Sequence, residues 1–170
     1  MSCTLYLVRH GIAEAAGSGG DAERRLTSEG VRKLRQVARG LKRLILKPDA
    51  IISSPLRRAE QTAAILCAVL APGAVPQLCP LLAPGEGAEA VAAGLREHRR
   101  AHELVLVGHQ PSLGQLASYL LARSPHVVEL PFRKGGVAAI VVDSLPPRAS
   151  GTLEWFVTAE QLRWMGRKGR

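Results

Sequence analysis

Apolar residues along this chain fall into two patterns, short unbroken runs and stripes at helical spacing, and the two alternate. Leu5-Tyr6-Leu7-Val8, Ala50-Ile51-Ile52 and Leu104-Val105-Leu106-Val107 are unbroken β-prone runs, each followed by polar residues or glycine. Runs without polar alternation suit parallel strands covered on both faces. After the first run, Val31, Leu34, Ala38, Leu41 and Ile45 recur at steps of three and four, which is one buried stripe of a helix. Thr27 or Ser28 caps that helix, Glu29 sits in its first turn where a carboxylate suits the dipole, and Pro48 stops it. The second run leads to a helix with Pro55 in its first turn and Leu56, Ala59, Ala63, Leu66 and Leu70 facing inward. A modest helix over residues 88–100 buries Val91, Ala92 and Leu95. Pro111 opens another, with Leu113, Leu116, Ala117, Leu120 and Leu121 on one side.

The remaining segments are connections and late strands. Residues 13–25, rich in glycine, and residues 71–87, rich in proline and glycine, read as loops. Val137–Val142 and Leu153–Val157 read as two further strands joined by a turn holding Pro146, Pro147 and Gly151. The tail from Glu160 to Arg170 is short and basic and is expected to fray. Strand–helix alternation of this kind predicts an α/β fold. We expect a three-layer sandwich, a mostly parallel central sheet with helices on both faces and an antiparallel edge strand. One domain should span residues 1–170.

Composition adjusts this picture only slightly. At 46% hydrophobic residues the chain can pack a core, so disorder is not expected. Lys plus Arg number 23 against 14 acids, a net charge of +9 that would suit nucleic acid, an anionic surface or an acidic substrate. Arg32, Lys33, Arg35, Arg39 and Arg43 lie mostly off the apolar stripe, where charge serves solubility. Aromatic residues make up only 4%, too few to stack the bases of a single strand, so no nucleic acid partner is expected. Cys3, Cys67 and Cys79 are an odd number with no paired spacing, and suggest neither disulfides nor a zinc site. No apolar run approaches the length of a membrane span and no signal-like segment opens the chain, so a cytoplasmic location is the default expectation.

Chemistry enters at the strand exits. In an open α/β sheet, ligands collect outside the carboxyl ends of the strands. Arg9 and His10 follow the first run, Arg58 follows the second, and His109 follows the third. At about 100° per residue, Arg57 projects nearly opposite the buried face of its helix while Arg58 lies nearer the edge, so Arg58 is the arginine expected to reach back over the sheet. Gly11 is expected to let a ligand approach the backbone. Two arginines and two histidines at one edge describe a site for a phosphoryl group. Guanidinium groups match phosphate oxygens, a neutral imidazole can attack phosphorus, and a second imidazole can stabilise the developing charge. No Asp-rich cluster or His-x-His spacing asks for a metal, and no cofactor is expected. His98 and His102 sit at the polar end of the modest helix and read as bystanders.

Leu-Val-Arg9-His10-Gly11, then Ser54-Pro55-Leu56-Arg57-Arg58-Ala59-Glu60-Gln61-Thr62, then Val107-Gly108-His109 resemble the three signatures of the histidine phosphatase superfamily, in the right order and over nearly the whole chain. Within it, the length, Arg24-Arg25-Leu26-Thr27 and Gly108-His109-Gln110-Pro111 are most similar to the small bacterial phosphohistidine phosphatases. The resemblance implies His10 as the phosphorylated nucleophile, with Arg9, Arg58 and His109 around the phosphoryl group. It adds Arg24 as a further phosphate contact, with Arg25 competing for that match, and Gln61 and Thr62 as supports of the loop. One departure matters. Where larger members carry an acid for an oxygen leaving group, this chain has Leu78-Cys79-Pro80-Leu81-Leu82-Ala83-Pro84 and no carboxylate until Glu86. A phosphoramidate can do without that acid, because its leaving nitrogen can be protonated before cleavage. The short chain between Thr62 and Val107 leaves no room for a large cap, so a phosphohistidine-bearing protein domain or a small phosphorylated substrate could enter. Three readings stay open: a phosphohistidine phosphatase, a small-molecule phosphomonoesterase with Glu14 or Glu86 as its acid, and a phosphate-binding module without turnover.

Overall fold

In the computed structural model, which describes residues 2–16, 20–45 and 47–167, each apolar run becomes a strand of one sheet. The elements in order are β1 (Cys3–Arg9), α1 (Ser28–Leu41), β2 (Ala50–Ser53), α2 (Arg57–Leu70), β3 (Gln77–Leu78), α3 (Ala88–Gly94), β4 (Glu103–Gly108), α4 (Ser112–Ala122), β5 (Val137–Val142), β6 (Thr152–Val157) and α5 (Ala159–Met165). Short 3₁₀ turns cover Pro80–Leu82 and Leu95–His98. The sheet order is β3-β2-β4-β1-β5-β6. β1, β2, β3 and β4 run parallel; β5 runs antiparallel to β1, and β6, at the edge, antiparallel to β5.

Register puts the exits level with one another. Arg9 pairs with Gly108, and Ser53 and Val8 both pair with Val107, so β1, β2 and β4 end at the same height. β5 begins opposite Val8, which brings the loop before it to that edge as well. Both faces are covered, which is why these strands read as unbroken apolar runs. Leu5, Leu7, Leu104 and Leu106 pack on α3 and α4 together with Leu113, Leu116, Leu120 and Phe132. Tyr6, Val8, Val105 and Val107 pack on α1, α2 and α5 with Leu34, Leu41, Leu66 and Leu162.

The helix ends follow local chemistry. Thr27 caps α1 by accepting the Gly30 N–H at 2.9 Å, and Glu29 pairs with Lys33 one turn on. α1 stops at Leu41, short of Pro48: Arg43 and Leu44 donate to Gly40 and Leu41, tightening the last turn and still burying Ile45. Pro55 lies outside α2, which starts at Arg57. The modest helix ends as α3 at Gly94 and continues as a 3₁₀ turn. Within the expected loop 71–87, Gln77 and Leu78 form the two-residue strand β3 on the free edge of β2. Two exposed residues carry no periodicity, so nothing in the pattern announces them. Gly17 and Gly19 of the first loop lie outside the described residues.

Residues 160–167 of the tail correct the expectation of fraying, while Lys168, Gly169 and Arg170 lie outside the described residues. Thr158 and Gln161 form a reciprocal capping box, α5 follows, and Leu162 is fully buried against α1. The contact is close. A side chain at Gly40 would collide with the carbonyl of Leu162, so a glycine is required where the two helices meet. Among the described residues, no helix is long and apolar enough to cross a membrane.

If α5 is docked as described, Gly40→Ala should lower stability by about 1–3 kcal/mol through overpacking. Leu162→Ala should lower it by about 2–5 kcal/mol through the cavity it leaves. Urea denaturation of both variants checks this; unchanged midpoints would mean that the tail is loose after all.

Candidate functional site

The backbone of Arg9 and His10 is fixed from both neighbouring strands. The His10 N–H donates to the Gly108 carbonyl of β4 at 3.1 Å, and the Arg9 N–H donates to Gly136, just before β5, at 3.1 Å. Gly135, with φ +75°, turns its own N–H onto the carbonyls of Arg9 and His10. A residue with a Cβ rarely adopts that φ, so glycine is the suitable residue there.

The His10 ring is buried at 5% exposure and held at both nitrogens. Nδ1 lies 2.7 Å from the Gly11 carbonyl, which can only accept, so the ring proton belongs on Nδ1. Nε2 therefore keeps its lone pair, and it accepts from Arg58 Nε at 3.3 Å. The His109 ring lies 5.1 Å away between centroids. Its Nε2 meets Ser54 Oγ at 2.8 Å, while its Nδ1 is buried with no hydrogen-bond partner. Ser54 Oγ already accepts the Leu56 N–H, so its own proton is free to go to His109 Nε2. That bond allows the proton of a neutral His109 to sit on the unpartnered Nδ1.

The arginines separate as helix phase predicts. Arg58 is buried and points to His10, whereas Arg57 is half exposed and pairs with Glu60 at 3.2 Å. Arg58 commits three N–H groups: Nε to His10, and one on each terminal nitrogen to the backbone carbonyl (2.6 Å) and carboxylate (2.8 Å) of Asp21. A guanidinium carries five, so two remain for a ligand. Arg9 donates to the Phe132 carbonyl at 2.7 Å, and its Nε is buried without a partner. The site thus gathers His10, His109, Arg9 and Arg58 with several N–H donors unfilled.

Gly11 and Arg24 do not behave as expected. The missing Cβ of Gly11 faces Leu26 and Leu34 in the core, and its N–H donates to Thr62 Oγ1 at 3.1 Å, so the absent side chain makes room for packing and the N–H is already used. Arg24 contacts Asp21 Oδ1 at 2.8 Å and the Glu14 carbonyl at 2.7 Å, standing behind Asp21 rather than against His10. Thr62 and Gln61 hold the loops: Thr62 also donates to the Arg58 carbonyl, and Gln61 accepts from Leu26. Glu14 accepts from the Arg25 N–H on the exposed loop. Glu86 is exposed beside Gly85, whose N–H reaches Ser112 at the start of α4. Sequence reasoning missed Asp21, Ser54 and the Phe132 carbonyl. The Gly135-Gly136 pair ahead of a strand was the one available hint of the last.

Electrostatics keep both imidazoles neutral. Burial lowers the His10 pKa to about 3; the bond to Gly11 opposes this, and His109, Arg58 and Arg9 add to it. His109 falls to about 4, again chiefly by burial, with Arg58 and Arg9 contributing and Asp21 opposing. Asp21 itself is held below the usual carboxylate range by its bonds to Arg24 and Arg58. Among the described residues, no group of three or more His, Cys, Asp or Glu is placed to hold a metal ion.

Residues 5–83 match the histidine phosphatase superfamily (branch 1), a span that takes in Arg9, His10 and Arg58. An uncharacterized protein of Picosynechococcus sp. is 39% identical over 140 residues, 80% of this chain and 83% of its own. The chain belongs to the histidine phosphatase superfamily, and the activity this implies is that of a phosphatase. Within that family it is similar to SixA. The phosphohistidine phosphatase SixA of Escherichia coli is 26% identical over 161 residues, covering 94% of this chain and 96% of its own. The solved structure of the protein histidine phosphatase SixA complexed with tungstate superposes with a TM-score of 0.82 at 25% identity, covering 94% of this chain and 99% of that one.

Both pKa values lie below the ordinary histidine value of about 6.5, so the unfolded chain binds more protons between those limits. The stability these groups contribute is complete above about pH 6.5 and is lost as pH falls through the folded values. In NMR titration of the free protein, His10 and His109 should remain neutral at pH 5. Midpoints near 6.5 for either ring would contradict its burial.

Proposed function

We propose that this chain removes phosphoryl groups from phosphohistidine on proteins, through a covalent phosphohistidine formed at His10. The observation that carries the reading is the His10 ring, proton fixed on Nδ1 by Gly11 and lone pair on Nε2 met by the Arg58 guanidinium. In the first step Nε2 attacks phosphorus, the bond from phosphorus to the substrate imidazole breaks, and the leaving nitrogen departs carrying a proton. Arg58 Nε must release Nε2 as that bond forms, and it can turn to a phosphoryl oxygen. Arg9 Nε and His109 Nδ1, both unpartnered, supply further donors to the equatorial oxygens. In the second step water attacks phosphorus, the bond to Nε2 breaks, and phosphate leaves.

The preference for a nitrogen leaving group rests on what borders the site. Pro80–Leu82 forms a 3₁₀ turn whose Leu82 carbonyl lies near Gly108, next to His109. That turn holds leucines where larger relatives hold an acid. Asp21 is close, but its two arginine partners keep it ionised and unsuited to donate a proton. The alternative, a small-molecule phosphomonoesterase, is favoured by one observation: Glu86 sits on a loop tied to the start of α4.

Two experiments decide between them. His10→Ala should abolish turnover and any acid-labile, alkali-stable phosphoenzyme; substantial residual turnover would remove His10 from the role. Phosphohistidine and activated aryl phosphates should exceed phosphoserine and sugar phosphates in kcat/KM by roughly 10²–10⁴-fold, the usual yield of general acid catalysis. Efficient phosphoserine hydrolysis that is lost in Glu86→Gln would establish the alternative. Arg58→Lys should be severely impaired, because a point charge does not reproduce a forked donor, while Arg57→Ala should keep its activity. The reverse pattern would mean that helix α2 presents its other face to the substrate.

A further inference from the structure

The loop that carries His10 has two flanks, and only one of them is occupied by the site described above. β1 lies between β4 and β5 in the sheet. His109 and Arg58 stand on the β4 side of its exit. On the β5 side, Arg9, Gly11 and Ile12 form one wall of a hollow of about 600 Å³ that neither His109 nor Arg58 lines. Its other walls are α1, the loop before β5 and the start of α5.

The charged lining of this hollow is one-sided. Arg9, Lys33, Arg133, Lys134 and Arg163 face a single carboxylate, Glu160. Lys33 has a partner in Glu29, which leaves the rest in excess. Arg163 Nε is buried without any hydrogen-bond partner. A buried donor left unfilled is costly, so an acceptor brought to it gains a favourable bond. Arg133 and Lys134 are exposed at the rim, and their loop is bonded to the Arg9 and His10 carbonyls through Gly135. The rim is therefore tied to the backbone that carries the candidate nucleophile.

We infer that the hollow beside Gly11 binds carboxylate side chains of the protein that carries the phosphohistidine, so that the substrate is gripped on both flanks of the His10 loop. This rests on the phosphohistidine reading. A carboxylate-bearing small substrate offers the same chemistry, but the rim extends over two helices and a loop, a span that suits a protein surface. The net charge of +9 could attract acidic chains anywhere on the molecule. The inference therefore requires that the attraction be local.

The test compares two double charge reversals of equal net charge. Arg133→Glu with Lys134→Glu alters the rim, and Arg35→Glu with Arg39→Glu alters exposed positions on α1. The probe is an unphosphorylated peptide of six acidic residues, titrated against the whole chain at low and moderate salt. Reversing two exposed charges exchanges attraction for repulsion, so the rim variant should lose about tenfold in affinity and the α1 variant much less. Equal losses in both variants, or none in the rim variant, would overturn the inference. Should the rim variant fold poorly, Lys134→Gln should show a smaller loss in the same direction, and unchanged binding there would count against it. Phosphohistidine peptides flanked by Glu or by Gln then identify the source of the carboxylates. The wild type should prefer the Glu-flanked peptide by about tenfold, and the rim variant should lose that preference. If neither peptide is hydrolysed while aryl phosphates are, the phosphohistidine reading fails, and the binding comparison still decides the hollow.

Discussion

The bond from His10 Nδ1 to the Gly11 carbonyl organises everything else at the sheet edge. It is a bond within two residues, so it survives only if the backbone around it is rigid. That rigidity comes from outside: Gly108 and Gly136 hold the two residues from either side, and Thr62 reaches across from α2 to hold Gly11. Each of these partners depends in turn on level strand ends. A shift of one residue in the β1–β4 register would move His10 away from Gly108 and turn alternate side chains to the wrong face. The ring's tautomer is thus a property of the sheet.

Burial and charge are balanced in opposite senses at this edge. The imidazoles are kept neutral by exclusion from water, while the buried Arg58 is paired with the carboxylate of Asp21. An uncompensated guanidinium at that depth would be strongly unfavourable. Arg9 has no such counterion among its described contacts; a backbone carbonyl is its partner. The edge as a whole is left short of negative charge, and a phosphoryl dianion is the complement it lacks.

Most of the fold was legible because it is written in apolar residues. Three unbroken runs gave three parallel strands, and the spacing of Leu56, Ala59 and Ala63 was enough to separate Arg58 from Arg57. What escaped has other physics. β3 is a pair of exposed residues recruited by a neighbouring strand edge, and α5 is anchored by one leucine and a reciprocal cap. Asp21 escaped because its partner is 37 residues away and its loop has no period. Gly11 was read as an opening for a ligand because sequence does not show on which side a glycine lacks its Cβ. The structure turns that side toward Leu26.

The connection between β1 and α1 has a mechanical consequence. Glycine-rich surface loops usually absorb insertions and deletions without effect. This one ends in residues that are bolted to α2: Ala22 accepts the Arg57 N–H, and Asp21 grips the Arg58 guanidinium by carbonyl and carboxylate together. Changing its length would pull on the first turn of a helix whose own capping residue, Leu56, offers no side-chain hydrogen bond. The stretch from Asp21 onward should behave as part of the scaffold, evolving in step with a helix far from it in the chain.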